Sequence, residues 1–87
     1  MTQKEIALLA AKALDDKRAK DITVLKVDEM TVITDYMVIA TGRSVPQVKA
    51  LADNVEEELI KADCDAKRRE GYSEGRWCVL DYGDVMV

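Results

Sequence analysis

Apolar residues recur every three or four positions in two long segments of this chain, and this spacing is typical of amphipathic helices that bury one face. The first stripe consists of Ile6, Leu9, Ala10, Ala13 and Leu14. Just before it, Thr2-x-x-Glu5 matches the capping box, in which the hydroxyl and the carboxylate each accept a hydrogen bond from a backbone N–H group at the helix start. The pattern therefore predicts a first helix that begins after Thr2.

The second apolar stripe lies in the middle of the chain and consists of Val48, Leu51, Ala52, Val55, Leu59 and Ala62. Ser44-x-x-Gln47 precedes it and predicts a second capping box. Pro46 falls in the first turn, where a missing N–H group costs nothing. We predict a helix that begins after Ser44 and ends near Ala62.

Four segments have the length and composition of β-strands or strand pairs. Residues 22–27 are rich in β-branched residues, and residues 36–40 form a continuous apolar run that predicts a central strand covered on both faces. Residues 66–70 are polar and predict a strand at or near an edge, where charge discourages unwanted pairing. Residues 75–87 predict two short strands joined at Gly83-Asp84. Together these elements predict an α/β fold, a mixed sheet of about five strands flanked by helices.

The last thirteen residues contain the only Trp and one of three Tyr in a chain without Phe or His. Side chains alternate between the two sides of a strand. The residues on one side are Trp77, Val79 and Asp81, and those on the other are Cys78, Leu80 and Tyr82. Both sides are largely apolar, so two interpretations stay open. Either helices cover both sides, with the Trp in the core, or one side presents an aromatic surface to a partner.

The composition fits one globular domain over residues 1–87, with 48% hydrophobic and 34% charged residues. No apolar run approaches the roughly 18 residues that a membrane span needs, and the first residues lack the apolar core of a signal peptide. We therefore expect a cytoplasmic protein that does not enter a membrane.

The absence of His excludes imidazole metal sites and histidine-dependent Ser or Cys catalysis within the chain.

The net charge of −4 bears on the class of partner. Proteins that bind nucleic acids usually present a basic surface, because phosphate neutralisation supplies most of their affinity. Basic residues cluster only locally, at residues 17–20 and 67–69, without interleaved aromatic residues. We interpret both clusters as solvated surface charge and expect no direct recognition of nucleic acid. An acidic domain is better suited to a basic protein, and an RNA-binding module that uses residues 67–69 is an alternative.

Two features would suit an enzyme. Gly42-Arg43-Ser44 opens a helix after a strand, a corner that can hold phosphate on backbone N–H groups, although no G-x-G-x-x-G or G-K-[ST] motif accompanies it. Asp81 and Asp84, with Asp35 at the mouth of another strand, would suit Mg²⁺ in phosphoryl transfer. Strand alternation places Asp81 and Asp84 on opposite sides, so we predict turn and surface roles, no metal and no cofactor. A metal-dependent nucleotidyltransferase-like enzyme is the second alternative.

Several segments together resemble a known family, the ribosomal silencing factors, also called the Iojap or RsfS family. The most specific segments are Ile33-Thr34-Asp35-Tyr36 and the final Trp77-x-x-Leu80-Asp81-Tyr82-Gly83-Asp84-Val85. Further matching segments are residues 13–17 with 21–22, residues 39–42 with Ser44, residues 47–48, residues 51–55 and residues 70–71. They run nearly from end to end of the chain in the family's order.

The resemblance implies a small α/β fold related in shape to nucleotidyltransferases but without their catalytic acids or their chemistry. It also implies a partner on the large ribosomal subunit, the basic universal large-subunit protein fourteen, on the face that meets the small subunit. A factor bound there would block subunit association and repress translation without catalysis. The resemblance leaves a homodimer open. Family members usually continue past the position of Val87, so we expect that this chain lacks the family's C-terminal tail.

The position of these motifs predicts a partner-binding site. It consists of Trp77, Leu80, Asp81, Tyr82 and Asp84, with Asp35 as a supporting member. The aromatic and apolar residues would anchor the partner, and the acids would steer the chain towards its basic surface. Strand alternation implies that Trp77 and Tyr82 lie on different faces, so we expect at least one of them to belong to the core.

Overall fold

The computed structural model describes residues 1–27 and 35–87, so Ile33 and Thr34 of the Ile-Thr-Asp-Tyr segment lie outside the described residues. Within the described residues the chain forms two helices and five strands, in the predicted order. The elements are α1 (Gln3–Asp16), β1 (Lys20–Lys26), β2 (Tyr36–Thr41), α2 (Val45–Lys61), β3 (Arg68–Glu70), β4 (Val79–Asp81) and β5 (Val85–Met86). The last strand pair is shorter than its sequence indicated, because β4 begins only at Val79.

The five strands form one mixed sheet in the order β1-β2-β5-β4-β3. β5 runs parallel to β2, with Tyr36 opposite Val85 and Met37 opposite Met86, and the other neighbouring pairs are antiparallel. The predicted mixed sheet is confirmed, and the polar strand β3 lies at its edge. β2 lies inside the sheet between β1 and β5, as predicted for a central strand, and β5 takes the middle position because the turn at residues 82–84 returns the chain between β2 and β4.

Both helices begin at the predicted caps. Thr2 and Glu5 form the full capping box, with the Glu5 N–H donating to the Thr2 hydroxyl at 3.1 Å and the Thr2 N–H donating to the Glu5 carboxylate at 2.9 Å. At the second helix the Gln47 N–H donates to the Ser44 hydroxyl at 3.2 Å. The second hydrogen bond of the predicted capping box has a different donor, because the Gln47 side-chain oxygen accepts from the N–H of Arg43 instead.

One hydrophobic core lies between the helices and one face of the sheet. The contributions of α1 are Ala7, Ala10, Ala13 and Leu14, those of α2 are Leu51, Ala52, Val55 and Leu59, and those of the sheet are Val38, Leu80, Tyr82 and Val85. The alanines of α1 let that helix approach both α2 and the sheet closely. Strand register places the sheet residues of the core on one face. In the part of the chain that the structure describes, neither helix is long and apolar enough to cross a membrane.

The opposite face of the sheet carries no helix within the described residues. Along β2, Val38 is buried in the core, whereas its neighbour Ile39 points away from the helices and is 42% exposed. The prediction that residues 36–40 are covered on both faces is therefore wrong. The continuous apolar run reflects an apolar outer surface and not a second layer of helices.

Candidate partner-binding surface

We call the uncovered side of the sheet the open face and define it by register. Its residues are Thr23 and Leu25 of β1, Met37, Ile39 and Thr41 of β2, Met86 of β5, Val79 and Asp81 of β4, and Arg68 and Glu70 of β3. Apolar side chains occupy the middle of this row, and charged side chains occupy the end at β3. An antiparallel sheet that faces water usually alternates apolar and polar positions. The open face departs from that rule, because Met37 and Ile39 of β2 and Met86 of β5 are outward-facing and apolar.

Three large apolar side chains on or beside the open face are well exposed. Leu25 is 43% exposed, Ile39 is 42% exposed and Trp77 is 76% exposed. Single exposed apolar residues are common on protein surfaces, but a contiguous group of them marks an interaction site. The open face therefore has the character of a protein interface.

A groove of about 390 Å³ lies between β2 and β4 and is lined by residues of both faces of the sheet and of α2. It arises because β5 pairs with β2 only at Tyr36 and Met37, while β2 continues to Thr41. Its lining includes Leu51 and Val55 of α2 and the exposed Trp77. The groove adds a concave apolar surface beside the most exposed aromatic side chain of the chain.

Two glycines fix the segment that presents Trp77. Gly71 has φ +77° and lies against the Trp77 carbonyl, where a Cβ atom would come within 1.8 Å of the oxygen. Gly75 has φ +71°, and a Cβ atom there would come within 2.6 Å of Val45 on α2. Both positions therefore need glycine for conformation and for space. The Trp is exposed on a segment packed against the start of α2, not on a loose loop.

Tyr72 anchors the same segment to α2. Its hydroxyl donates to the Asp53 carboxylate at 2.8 Å, and this hydrogen bond raises the pKa of Tyr72. The Arg69 guanidinium lies over the Tyr72 ring at 4.0 Å from the centroid and donates to Glu56 at 3.0 Å. Cation–π and charge-assisted contacts of this kind tie the turn between β3 and β4 to the helix.

Leu80 and Tyr82 lie in the core, where a partner does not reach them. Leu80 is 2% exposed and Tyr82 is 7% exposed, and burial is the main reason that the pKa of the Tyr82 hydroxyl is raised. The prediction that these two side chains touch a partner directly does not agree with their burial. Trp77 is 76% exposed, so the expectation that at least one of Trp77 and Tyr82 belongs to the core agrees with the structure.

Asp81 and Arg68 form the charged end of the open face. One carboxylate oxygen of Asp81 accepts from the Gly83 N–H at 2.8 Å and so stabilises the turn into β5. The other lies 3.5 Å from the Arg68 guanidinium. Asp81 thus combines the predicted turn role with a position on the surface.

Asp35 and Asp84 lie together at the end of β2 away from the groove. The Asp84 carbonyl accepts from the N–H of Asp35 at 2.7 Å and from the N–H of Tyr36 at 3.1 Å. The Asp84 carboxylate accepts from the Gln3 side chain at 3.1 Å. The structure therefore brings Asp35 and Asp84 together but separates them from Trp77, so the six predicted residues do not form one patch.

The features that would suit an enzyme are engaged in local structure. The Ser44 hydroxyl caps α2, and the carboxylates of Asp81 and Asp84 bond to a turn and to α1 respectively. Among residues 1–27 and 35–87, no group of three or more Cys, Asp and Glu side chains is arranged to hold a metal ion. Burial raises the pKa of the Cys78 thiol beside the groove, which disfavours the reactive thiolate.

Sequence reasoning missed the apolar residues of the open face. These are Leu25, Met37, Ile39, Val79 and Met86. For Met37 and Ile39 the signal was present as the continuous apolar run of β2, but such a run has two explanations, burial on both sides or an apolar outer surface. Only the position of the helices distinguishes between them.

Comparisons with known proteins connect this chain to a family. The family model described as ribosomal silencing factor during starvation matches residues 1–87. Over 87 residues the chain is 40% identical to ribosomal silencing factor RsfS of Bacillus subtilis and 42% identical to RsfS of Chromobacterium violaceum; it spans 74% and 71% of those proteins. It is also 31% identical over 81 residues to the chloroplastic protein Iojap of Arabidopsis thaliana, covering 93% of the chain and 34% of that protein.

Two solved structures resemble the fold closely. An X-ray structure of a protein from Chromobacterium violaceum matches the whole chain with a TM-score of 0.95 and 42% identity, and the match covers 72% of that protein. A crystal structure of a protein from Bacillus halodurans matches 97% of the chain with a TM-score of 0.85 and 36% identity, and covers 78% of that protein. The arrangement of helices and sheet described above is thus shared with these proteins.

Proposed function

This chain belongs to the ribosomal silencing factor family, and we propose that it represses translation by binding the large ribosomal subunit and keeping the small subunit from joining. The contact on the large subunit is universal large-subunit protein fourteen. The mechanism is steric, so no bond is made or broken, and the chain acts in the cytoplasm without a cofactor. The observation that carries this proposal is an uncovered apolar sheet face with a 76% exposed Trp at its edge.

The open face supplies the affinity in this proposal. Protein interfaces concentrate their binding energy in a few aromatic and apolar anchors that become buried at the centre of the contact. Trp77 is the largest exposed side chain, and Ile39 and Leu25 extend the apolar surface across β2 and β1. The groove beside Trp77 offers the concave part of the contact.

In this proposal the acidic side chains attract the chain towards a basic partner. The chain has a net charge of −4, and opposite charge on a partner raises the rate of encounter in a salt-dependent way. Asp81 lies within the open face, and Asp35 and Asp84 lie at the end of the sheet, so both the face and its margin carry carboxylates. We assign Leu80 and Tyr82 an indirect role, because they hold β4 against the helices from within the core.

Subunit association is the direct test of this function. Purified chain is added in excess to separated small and large subunits, and assembled ribosomes are measured by sucrose-gradient sedimentation. We expect the chain to sediment with the large subunit and to reduce the fraction of assembled ribosomes in proportion to its occupancy. Full assembly with the chain bound in excess would overturn the steric mechanism.

The Trp77→Ala substitution tests the surface. Loss of an interface hot spot weakens binding by about 2 kcal/mol or more, which is about 30-fold in Kd. The matched control is Leu8→Ala, which removes a large side chain that is 52% exposed on α1. We expect Leu8→Ala to bind the large subunit like the unmodified chain. Equal binding by both variants would exclude the surface around Trp77.

A nucleotide titration separates this proposal from the enzymatic alternative. Isothermal calorimetry with Mg²⁺ and a nucleoside triphosphate is expected to show no binding at micromolar concentrations. Saturable binding of both, followed by turnover of the nucleotide, would favour a nucleotidyltransferase-like enzyme instead.

A further inference from the structure

The two basic clusters of the sequence have different surroundings in the fold. At the first residues of β3, Arg68 lies near Asp81 and Glu70, and Arg69 lies near Glu56 and Asp53, all at 3.0–3.8 Å. These cations are neutralised by nearby carboxylates. Arg68 and Arg69 are therefore poorly suited to an external anion.

The cluster at residues 17–20 gains further cations through the fold. The side chain of Gln47 donates to the Arg18 carbonyl at 3.3 Å and its oxygen accepts from the N–H of Arg43, so the end of α1 lies beside the start of α2. Lys20 pairs with Thr41 of β2, close to the same corner. Gly75 packs on Val45 of α2 and so brings Arg76 to that end of the molecule.

We call this group the basic end. It consists of Lys17, Arg18, Lys20, Arg43 and Arg76, all exposed. None of these five side chains has an ion-pair or hydrogen-bond partner among the described residues. Asp21 is the one acidic residue within positions 17–21, 42–44 and 75–77. Because the Ser44 and Gln47 side chains already bond to N–H groups at the start of α2, the attraction for an anion comes from the side-chain cations and not from the helix end.

We propose that the basic end contacts the phosphate backbone of RNA next to the protein that the open face binds. This inference rests on the proposed function, because RNA surrounds the proteins on the surface of a ribosomal subunit. Exposed Lys and Arg side chains without carboxylate partners suit phosphates, which position a protein without reading base sequence. Arg76 directly precedes Trp77, so the basic end continues into the rim of the open face. The contact would add affinity and fix the orientation of the bound chain.

The salt dependence of binding tests this contact. Each phosphate contact contributes about 0.7–0.9 to the slope of log K against log salt concentration. We compare the unmodified chain with the triple variant K17Q/K20Q/R43Q, in binding to purified large subunits at several salt concentrations. We expect a shallower slope by at least about 0.7 and a several-fold weaker affinity at low salt.

A second triple variant serves as the matched control. K4Q/K12Q/K61Q removes the same number of charges, from the exposed sides of the helices, where Lys12 and Lys61 pair with helix carboxylates. Since both variants change the net charge equally, general steering is equal too. We expect the control to keep the slope of the unmodified chain, and circular dichroism checks that both variants are folded.

Binding to the isolated ribosomal protein distinguishes the possible failures. If the contact is to RNA, K17Q/K20Q/R43Q binds universal large-subunit protein fourteen as tightly as the unmodified chain does. An equal loss towards the isolated protein, or an unchanged slope on large subunits, overturns the RNA contact and leaves the proposed function intact. Failure of the unmodified chain to bind large subunits at all overturns the proposed function itself.

Discussion

The two faces of this sheet are built from the same kinds of residues but have opposite roles. On the covered face, Val38, Leu80 and Val85 are at most 2% exposed beneath the helices. On the open face, Ile39 and Leu25 are as apolar but more than 40% exposed. The comparison teaches that apolar character in a small domain does not identify the core. What an apolar strand residue does depends on which side of the sheet the helices occupy.

The free energy of burying apolar surface also differs between the two faces. Burial on the covered face has already contributed to folding, at about 25 cal/mol for each Å² of apolar surface removed from water. The apolar side chains of the open face are still exposed to water. A partner that covers them therefore gains the free energy of burying their apolar surface. Substitutions on the covered face should therefore change stability, and substitutions on the open face should change binding.

The largest expected effect is in the core, between the covered face and the helices. Leu59→Ala removes a fully buried side chain and should lower the free energy of unfolding by about 2–5 kcal/mol, a large part of a small domain's stability. The neighbouring control Ile60→Ala, on the exposed side of α2, should cost under about 1 kcal/mol. Urea unfolding followed by far-ultraviolet circular dichroism measures both. Equal losses at the two positions would contradict the assignment of the Leu59 side of α2 to the core.

A smaller effect is expected on the open face. Ile39→Ala removes a half-exposed side chain, so it should weaken binding to the large subunit by about 1 kcal/mol, or roughly fivefold in Kd. Its type-matched control is Ile60→Ala, which removes an exposed Ile from a helix surface outside the open face. We expect Ile60→Ala to leave the dissociation constant unchanged. Co-sedimentation titrations give both values, and an equal change in both variants would remove β2 from the interface.

The smallest effect is expected at Tyr82. Its hydroxyl is buried without a hydrogen-bond partner among the described residues, and such a group costs stability. Tyr82→Phe should therefore keep the free energy of unfolding or raise it by up to about 1 kcal/mol, and binding to the large subunit should be unchanged. Weaker binding by Tyr82→Phe, with unchanged stability, would show that the hydroxyl reaches the partner after all.

Local structure could be predicted because its causes lie within a few residues. Thr2 and Glu5 form their capping box within one helical turn, and Ser44 caps α2 for the same reason. The alternation along β4 correctly separated the buried Leu80 from Val79 and Asp81, since side-chain direction follows from the backbone alone. The family could also be identified, because its motifs are contiguous in the chain.

The candidate surface could be predicted only in part. Trp77 and Asp81 lie on the surface as expected, whereas Leu80 and Tyr82, two residues apart on one strand side, are both buried. Alternation states which residues share a side but not which side meets the helices. The same limit led to the wrong prediction for β2, whose apolar run was compatible with both arrangements.

The sequence alone determined the elements, their order and the two sides of each strand, because hydrogen-bonding caps and side-chain periodicity act over short distances. The tertiary structure decided which side became core, that Arg68 and Arg69 meet carboxylates, and that the cations of residues 17–20 join Arg43 and Arg76. These outcomes depend on contacts between residues far apart in the chain. Such contacts form only when both helices pack on a single face of the sheet.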